Sequence, residues 1–194
     1  MTIGAAPAEI VSFWRDAGHD KWFAQDDDFD RAIRSRFLPA HEAVANGELA
    51  DWQDSAEGAL ALVLLFDQFP RNMFRGTARA FATDPLARAA ADRALARGFD
   101  QATEPALRQF FYLPFMHSEA PIDHDRSMRL YEALGNAEQL RYAIEHRAVI
   151  QTFGRFPHRN RALGRETTAA EQAFLEAAGV GQSASTSWPT SRRP

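Results

Sequence analysis

The stretch LALVLLFDQFPRN, residues 60–72, decides the fold. Leu60, Val63, Leu64 and Asp67 fall at i, i+3, i+4 and i+7, the spacing of one helical face. The apolar run inside it, Ala59 to Phe66, is far too short for a membrane span. A helix is predicted from about Ser55 to Phe69. It ends or kinks there because Pro70 lacks an N–H and its ring clashes with the preceding turn. At that end stand four polar residues, Asp67, Gln68, Arg71 and Asn72.

The same helical pattern extends in both directions. A first short helix covers Ala8 to Asp16, and a second follows the acidic run Asp26, Asp27, Asp28, which suits a helix N-terminus. A fourth is capped by Thr83 or Asp84, takes Pro85 in its first turn and stops at Gly98. Further helices are predicted from Thr103 to Met116, Asp123 to Leu134 and Ala137 to Phe153. A last one opens on the capping box Thr168 to Glu171. Period-two alternation is absent. The class is therefore all-α, with about eight antiparallel helices in one domain over residues 1–178. The pairing suits an αα-solenoid better than a closed bundle, though no 34-residue repeat is evident. Residues 179–194, rich in Ser, Thr, Gly, Pro and Arg, read as a disordered or loosely attached tail.

Composition narrows the function. A net charge of −4 argues against nucleic acid and anionic membranes as partners. The absence of cysteine excludes disulfides, thiolate chemistry and cysteine-ligated metals. No basic n-region precedes an apolar stretch at the N-terminus, so the expected compartment is the cytoplasm. Among 22 basic residues only Lys21 is lysine. That skew, expected of a GC-rich genome, makes any single arginine weaker testimony to an anion site.

Two further polar segments end apolar helices: Met116-His117-Ser118-Glu119 and Gly154-Arg155-Phe156-Pro157-His158-Arg159-Asn160. One helix separates each segment from the next. In an up-down array, alternate helices are parallel, so all three ends lie on one edge. That edge brings together Asp67, Gln68, Arg71, Asn72, His117, Ser118, Glu119, Arg155, His158, Arg159 and Asn160. His146 sits on the apolar stripe of its helix, with Tyr142 and Val149, and points inward. These twelve residues are the candidate ligand-binding set. His117, Glu119, His146 and His158 are the candidates for acid–base catalysis.

A bland account stands beside this one. Arg, His and Asn are favoured at helix C-termini, where carbonyls are unpaired. Asp67 and Arg71 have the spacing of a simple ion pair. His117, Glu119, His146 and His158 lack any recognised metal-ligand spacing, so neither a metal nor a cofactor is assigned. A Ser118–His158–Asp67 hydrolase lacks a nucleophile elbow.

The motifs themselves have a counterpart. Phe13-Trp14 with Trp22-Phe23, FDRAIRSRF (29–37), LLFDQFPRNMFRGTARAFATD (64–84), FYLPFMHSE (111–119) and FGRFPHRNRALGRETTAAEQAFL (153–175) resemble domain-of-unknown-function family 924, a mostly bacterial family. The resemblance covers about residues 8 to 176. It implies a tetratricopeptide-like αα-superhelix and no particular activity. It matches the twelve candidates and adds Arg75, Gly154, Pro157 and Arg165. His124 departs from it, standing where Gln is expected.

Three functions compete. A small polar or anionic ligand would be oriented by the arginines and asparagines, with a histidine as acid or base. A peptide or protein partner would instead lie in a groove lined by exposed aromatics such as Trp14, Trp22, Phe23 or Trp52. A ligand-free scaffold would have to bury several arginines, which is costly unless each is paired.

Overall fold

A computed structural model describes residues 5–178; the tail expected at 179–194 lies outside the described residues. All regular structure among them is helical, as the periodicity requires. The elements are α1 (Pro7–Ala17), α2 (His19–Trp22), α3 (Asp27–Ala45), α4 (Ala56–Val63), α5 (Phe69–Met73), α6 (Asp84–Ala96), α7 (Pro105–Arg108), α8 (Leu113–Met116), α9 (Pro121–Leu134), α10 (Ala137–Phe153) and α11 (Ala169–Ala177). Short 3₁₀ turns fall at Ala50–Asp54, Ala78–Phe81, Gln109–Phe111 and Pro157–Arg159.

Local chemistry accounts for the boundaries. The Asp26 carboxylate caps α3 through the N–H groups of Asp28 and Phe29. Asn136 caps α10 in the same way, and Gly154, at φ 68°, stops it in the left-handed region that glycine tolerates. The capping box at Thr168 and Glu171 is formed. The Thr103–Met116 helix, expected to be continuous, is instead split into α7, a 3₁₀ turn and α8. Pro114 has no N–H to offer the Phe110 carbonyl, so the ladder cannot run through it.

The decisive stretch also departs from expectation. The helix neither ends nor simply kinks at Pro70. It passes from α4 to α5 through a π-helical segment, Leu64–Gln68, in which the Phe69 N–H donates to the Leu64 carbonyl. Pro70 has no N–H for the Phe66 carbonyl, as α geometry would require, or for the Leu65 carbonyl, as π geometry would. Side chains replace it. His41 Nδ1 donates to Leu65 O at 2.9 Å, and the Thr83 hydroxyl donates to Phe66 O at 2.7 Å. Arg71 donates to Asp67 O at 2.6 Å. Thr83 therefore does not cap α6 with its side chain.

Packing centres on this helix. α1 and α6 both lie against α4, and α3 lies along α5. α9 and α10, joined by Gly135 and Asn136 alone, form a helical hairpin that packs on α8. The main core runs from Ala5 to Ala143, with an aromatic cluster of Phe13, Trp14, Trp22, Phe29, Phe37, Phe69 and Phe110. Trp14 is fully buried, and Trp22 stacks on it with its Nε1 donating to the Trp14 carbonyl at 2.6 Å. The peptide-partner alternative needs both tryptophans exposed in a groove; they belong to the core instead. No helix among the described residues is long and apolar enough to cross a membrane.

Candidate functional site

The three polar segments do meet, but they divide into two networks. The first surrounds Asp67, which is 1% exposed. His117 Nδ1 lies 2.8 and 3.0 Å from its two carboxylate oxygens, Gln68 donates to Oδ2, and Arg71 lies 3.1 Å from Oδ1. Arg71 also forms a two-pronged pair with Asp84 at 2.9 and 3.1 Å. Asp84 in turn accepts from Arg159 at 3.3 Å, and Arg159 donates to the His117 carbonyl at 2.9 Å. The chain Asp67–Arg71–Asp84–Arg159 thus alternates in sign. Asn72 and Arg75 both donate to Asp30, at 2.7–2.8 Å.

The second network ties down the C-terminal segment. Arg155 pairs with Glu171 through two bonds of 2.6 and 2.9 Å and donates to the Glu166 carbonyl. Asn160, fully buried, donates to Glu171 at 3.3 Å. Glu119 accepts two bonds from Arg165, at 2.9 and 2.8 Å, and one from the Phe156 N–H. Ser118 accepts from the Ala120 N–H in a tight turn, and its carbonyl accepts from His124 Nε2 at 2.7 Å. The Ser118–His158–Asp67 constellation is not formed, since Asp67 takes His117 instead.

A cavity of about 290 Å³ adjoins the first network. Its polar wall comprises Gln68, Arg71, Asn72, Arg75, His117, His146, His158 and Arg159; its apolar wall comprises Trp22 and Phe23 from the α2 region, Leu113, Met116, Tyr131 and Tyr142. Gln109, His19, Ala24 and the α10 start, Asn136, Glu138 and Gln139, complete it. Glu138 is the one acidic residue in this lining, because Asp67, Asp84 and Asp30 stand behind the arginines. Of the twelve candidates, Ser118, Glu119, Arg155 and Asn160 do not line it, and Asp67 supports it from behind. The sequence alone names Trp22 and Phe23 only for a peptide groove and does not place this α2 wall beside the polar cluster. Four residues show no periodicity, and only the adjacent aromatics Trp22 and Phe23 mark the place.

Electrostatics follow from this burial. Burial raises the Asp67 carboxyl, but Arg71, His117 and Gln68 outweigh it and hold it below the usual carboxylate range. Burial, together with Arg71 and Arg159, keeps His117 below its ordinary value even though Asp67 pulls the other way. Burial and His117 push His146 down to about 3, and burial and Arg159 push His158 well below 6.5. Arg159 is 6% exposed, its Nε has no hydrogen-bond partner, and burial and Arg71 lower it to about 10.

An ionised carboxylate can only accept, so His117 carries its proton on Nδ1 and its lone pair on Nε2. His146 Nδ1 faces the Tyr142 carbonyl at 2.8 Å, which fixes the same tautomer. Among the described residues, no group of three His, Asp or Glu is placed to hold a metal ion. Each cavity arginine has a carboxylate partner, which removes the expected cost of burying arginines without a ligand.

Residues 10–179 match the family described as "Bacterial protein of unknown function (DUF924)", and the chain belongs to it. It is similar to a solved structure titled "Structure of Protein of Unknown Function ATU0120 from Agrobacterium tumefaciens", with 53% identity and a TM-score of 0.85 over 88% of this chain and 97% of that one. No curated protein matches it.

Proposed function

We propose that this protein binds a small organic anion in the cavity, with the charged group against Arg71, Arg75 and Arg159 and an apolar body against Trp22, Phe23, Leu113 and Met116. The observation that supports this most is the open space itself. A purely structural network closes on its own groups, yet here three arginines and four histidines line a volume of about 290 Å³. Arg71 and Arg159 share one carboxylate, Asp84. Arg159 already donates to Asp84 and to the His117 carbonyl, and a bound anion would supply the acceptor that its Nε lacks.

The competing peptide-groove reading loses two of its aromatic anchors, since Trp14 and Trp22 are buried. The test is a thermal-shift and calorimetric screen of benzoate, citrate and inorganic phosphate. Saturation at about a hundredfold over Kd would add about 2.7 kcal/mol of stability. Arg159→Met should abolish the shift while keeping the helical circular dichroism. If no anion in the screen shifts the wild type, the proposal fails.

A further inference from the structure

Two features of His117 go beyond ligand binding. Its Nδ1 is held by both oxygens of a carboxylate that is itself fixed by Arg71 and Gln68. Its ring also lines the cavity, and Nε2 makes no hydrogen bond among the described residues. A carboxylate that fixes the tautomer of an imidazole and stabilises its protonated form is the usual support of a general base. A packing ion pair needs no such vacant nitrogen facing open space.

We propose that His117 is a catalytic residue, accepting at Nε2 an O–H proton of a substrate or water held beside the bound anion, with Asp67 as its positioning residue. This rests on the anion-binding reading above and assigns it a chemical step. The O–H bond breaks, its electron pair stays on oxygen, and an Nε2–H bond forms. The imidazolium charge is stabilised by Asp67, and the proton returns to the product by the reverse transfer. The oxygen made anionic in the step would be met by Arg71 and Arg159, which line the same wall. The groups facing His117 are Asp67, Arg71, Arg159, His146, His158 and His124. Three of them are histidines themselves, and only Asp67 favours the protonated ring.

The test needs no substrate. Diethyl pyrocarbonate acylates the lone-pair nitrogen of neutral imidazoles, and peptide mass spectrometry locates the label. On the wild type at pH 7, His117 should be labelled alongside exposed His19. Nitrogen-15 ring spectra should show His117 protonated at Nδ1. Asp67→Asn should slow labelling of His117 by about tenfold or more while leaving His19 unchanged. An unlabelled His117, or a ring protonated at Nε2 in the wild type, would overturn the proposal even if the Asn variant fails to fold. Benzoate or phosphate should protect His117. Normal labelling that no anion slows would overturn the binding reading and leave the oriented base standing.

Discussion

The Thr83 hydroxyl lies 2.7 Å from the Phe66 carbonyl, seventeen residues before it in sequence, and replaces the donor that Pro70 cannot supply. Both groups are buried. Thr83→Val keeps the shape and removes the donor, leaving a carbonyl without a partner. It should cost about 1–3 kcal/mol in urea unfolding. Thr83→Ser should recover most of that loss, because it restores the hydroxyl.

Asp84 serves two guanidiniums at once, so its removal has a larger effect. Asp84→Asn leaves Arg71 with Asp67 alone and Arg159 without an anionic partner. All three side chains are at most 10% exposed. A loss of about 3–5 kcal/mol is expected. An unchanged denaturation midpoint would show that this alternating chain contributes little.

The second network should be separable from the cavity. Arg155→Ala breaks two bonds to Glu171, which holds the first turn of α11. Amide exchange across residues 169–177 should therefore quicken by roughly tenfold or more. Anion binding should be unaffected, because Arg155 does not line the cavity.

Acid should weaken the fold before the carboxylates titrate. His146 is lowered to about 3 and His158 lies well below 6.5, so the unfolded chain takes up protons that the folded one refuses. Their stabilisation is complete above the unfolded value near 6.5 and is lost as pH falls toward the folded values. Each contributes a slope of up to about 1.4 kcal/mol per pH unit in that window. Urea midpoints between pH 7 and 5 measure it. His146→Asn should remove one histidine's share of the slope.

Much of the helical layout was legible from periodicity and caps, because these are local. The α10 limits, Ala137 and Phe153, and the Thr168 capping box are where the sequence places them. The convergence of Asp67, His117 and Arg159 followed from counting helices. The split into two networks did not, because it depends on which carboxylate each cation reaches. Spacing marks Glu171 as a cap alone, yet it also holds Arg155 and Asn160. Asp84 carries the local signature of a helix start, yet it bridges Arg71 and Arg159. A side chain that does two jobs across the fold leaves no spacing signature.

The π segment has a consequence for registry. A widened turn accommodates one residue more than an α-turn, which rotates everything beyond it by about 100° about the helix axis. Arg71 and Asn72 come after that step, and Leu60 and Val63 before it. One helix thus sends its apolar stripe into the core and, after the offset, turns Arg71 and Asn72 toward the cavity. Deleting Leu65 would leave the polar side chains themselves chemically intact and aim Arg71 and Asn72 elsewhere.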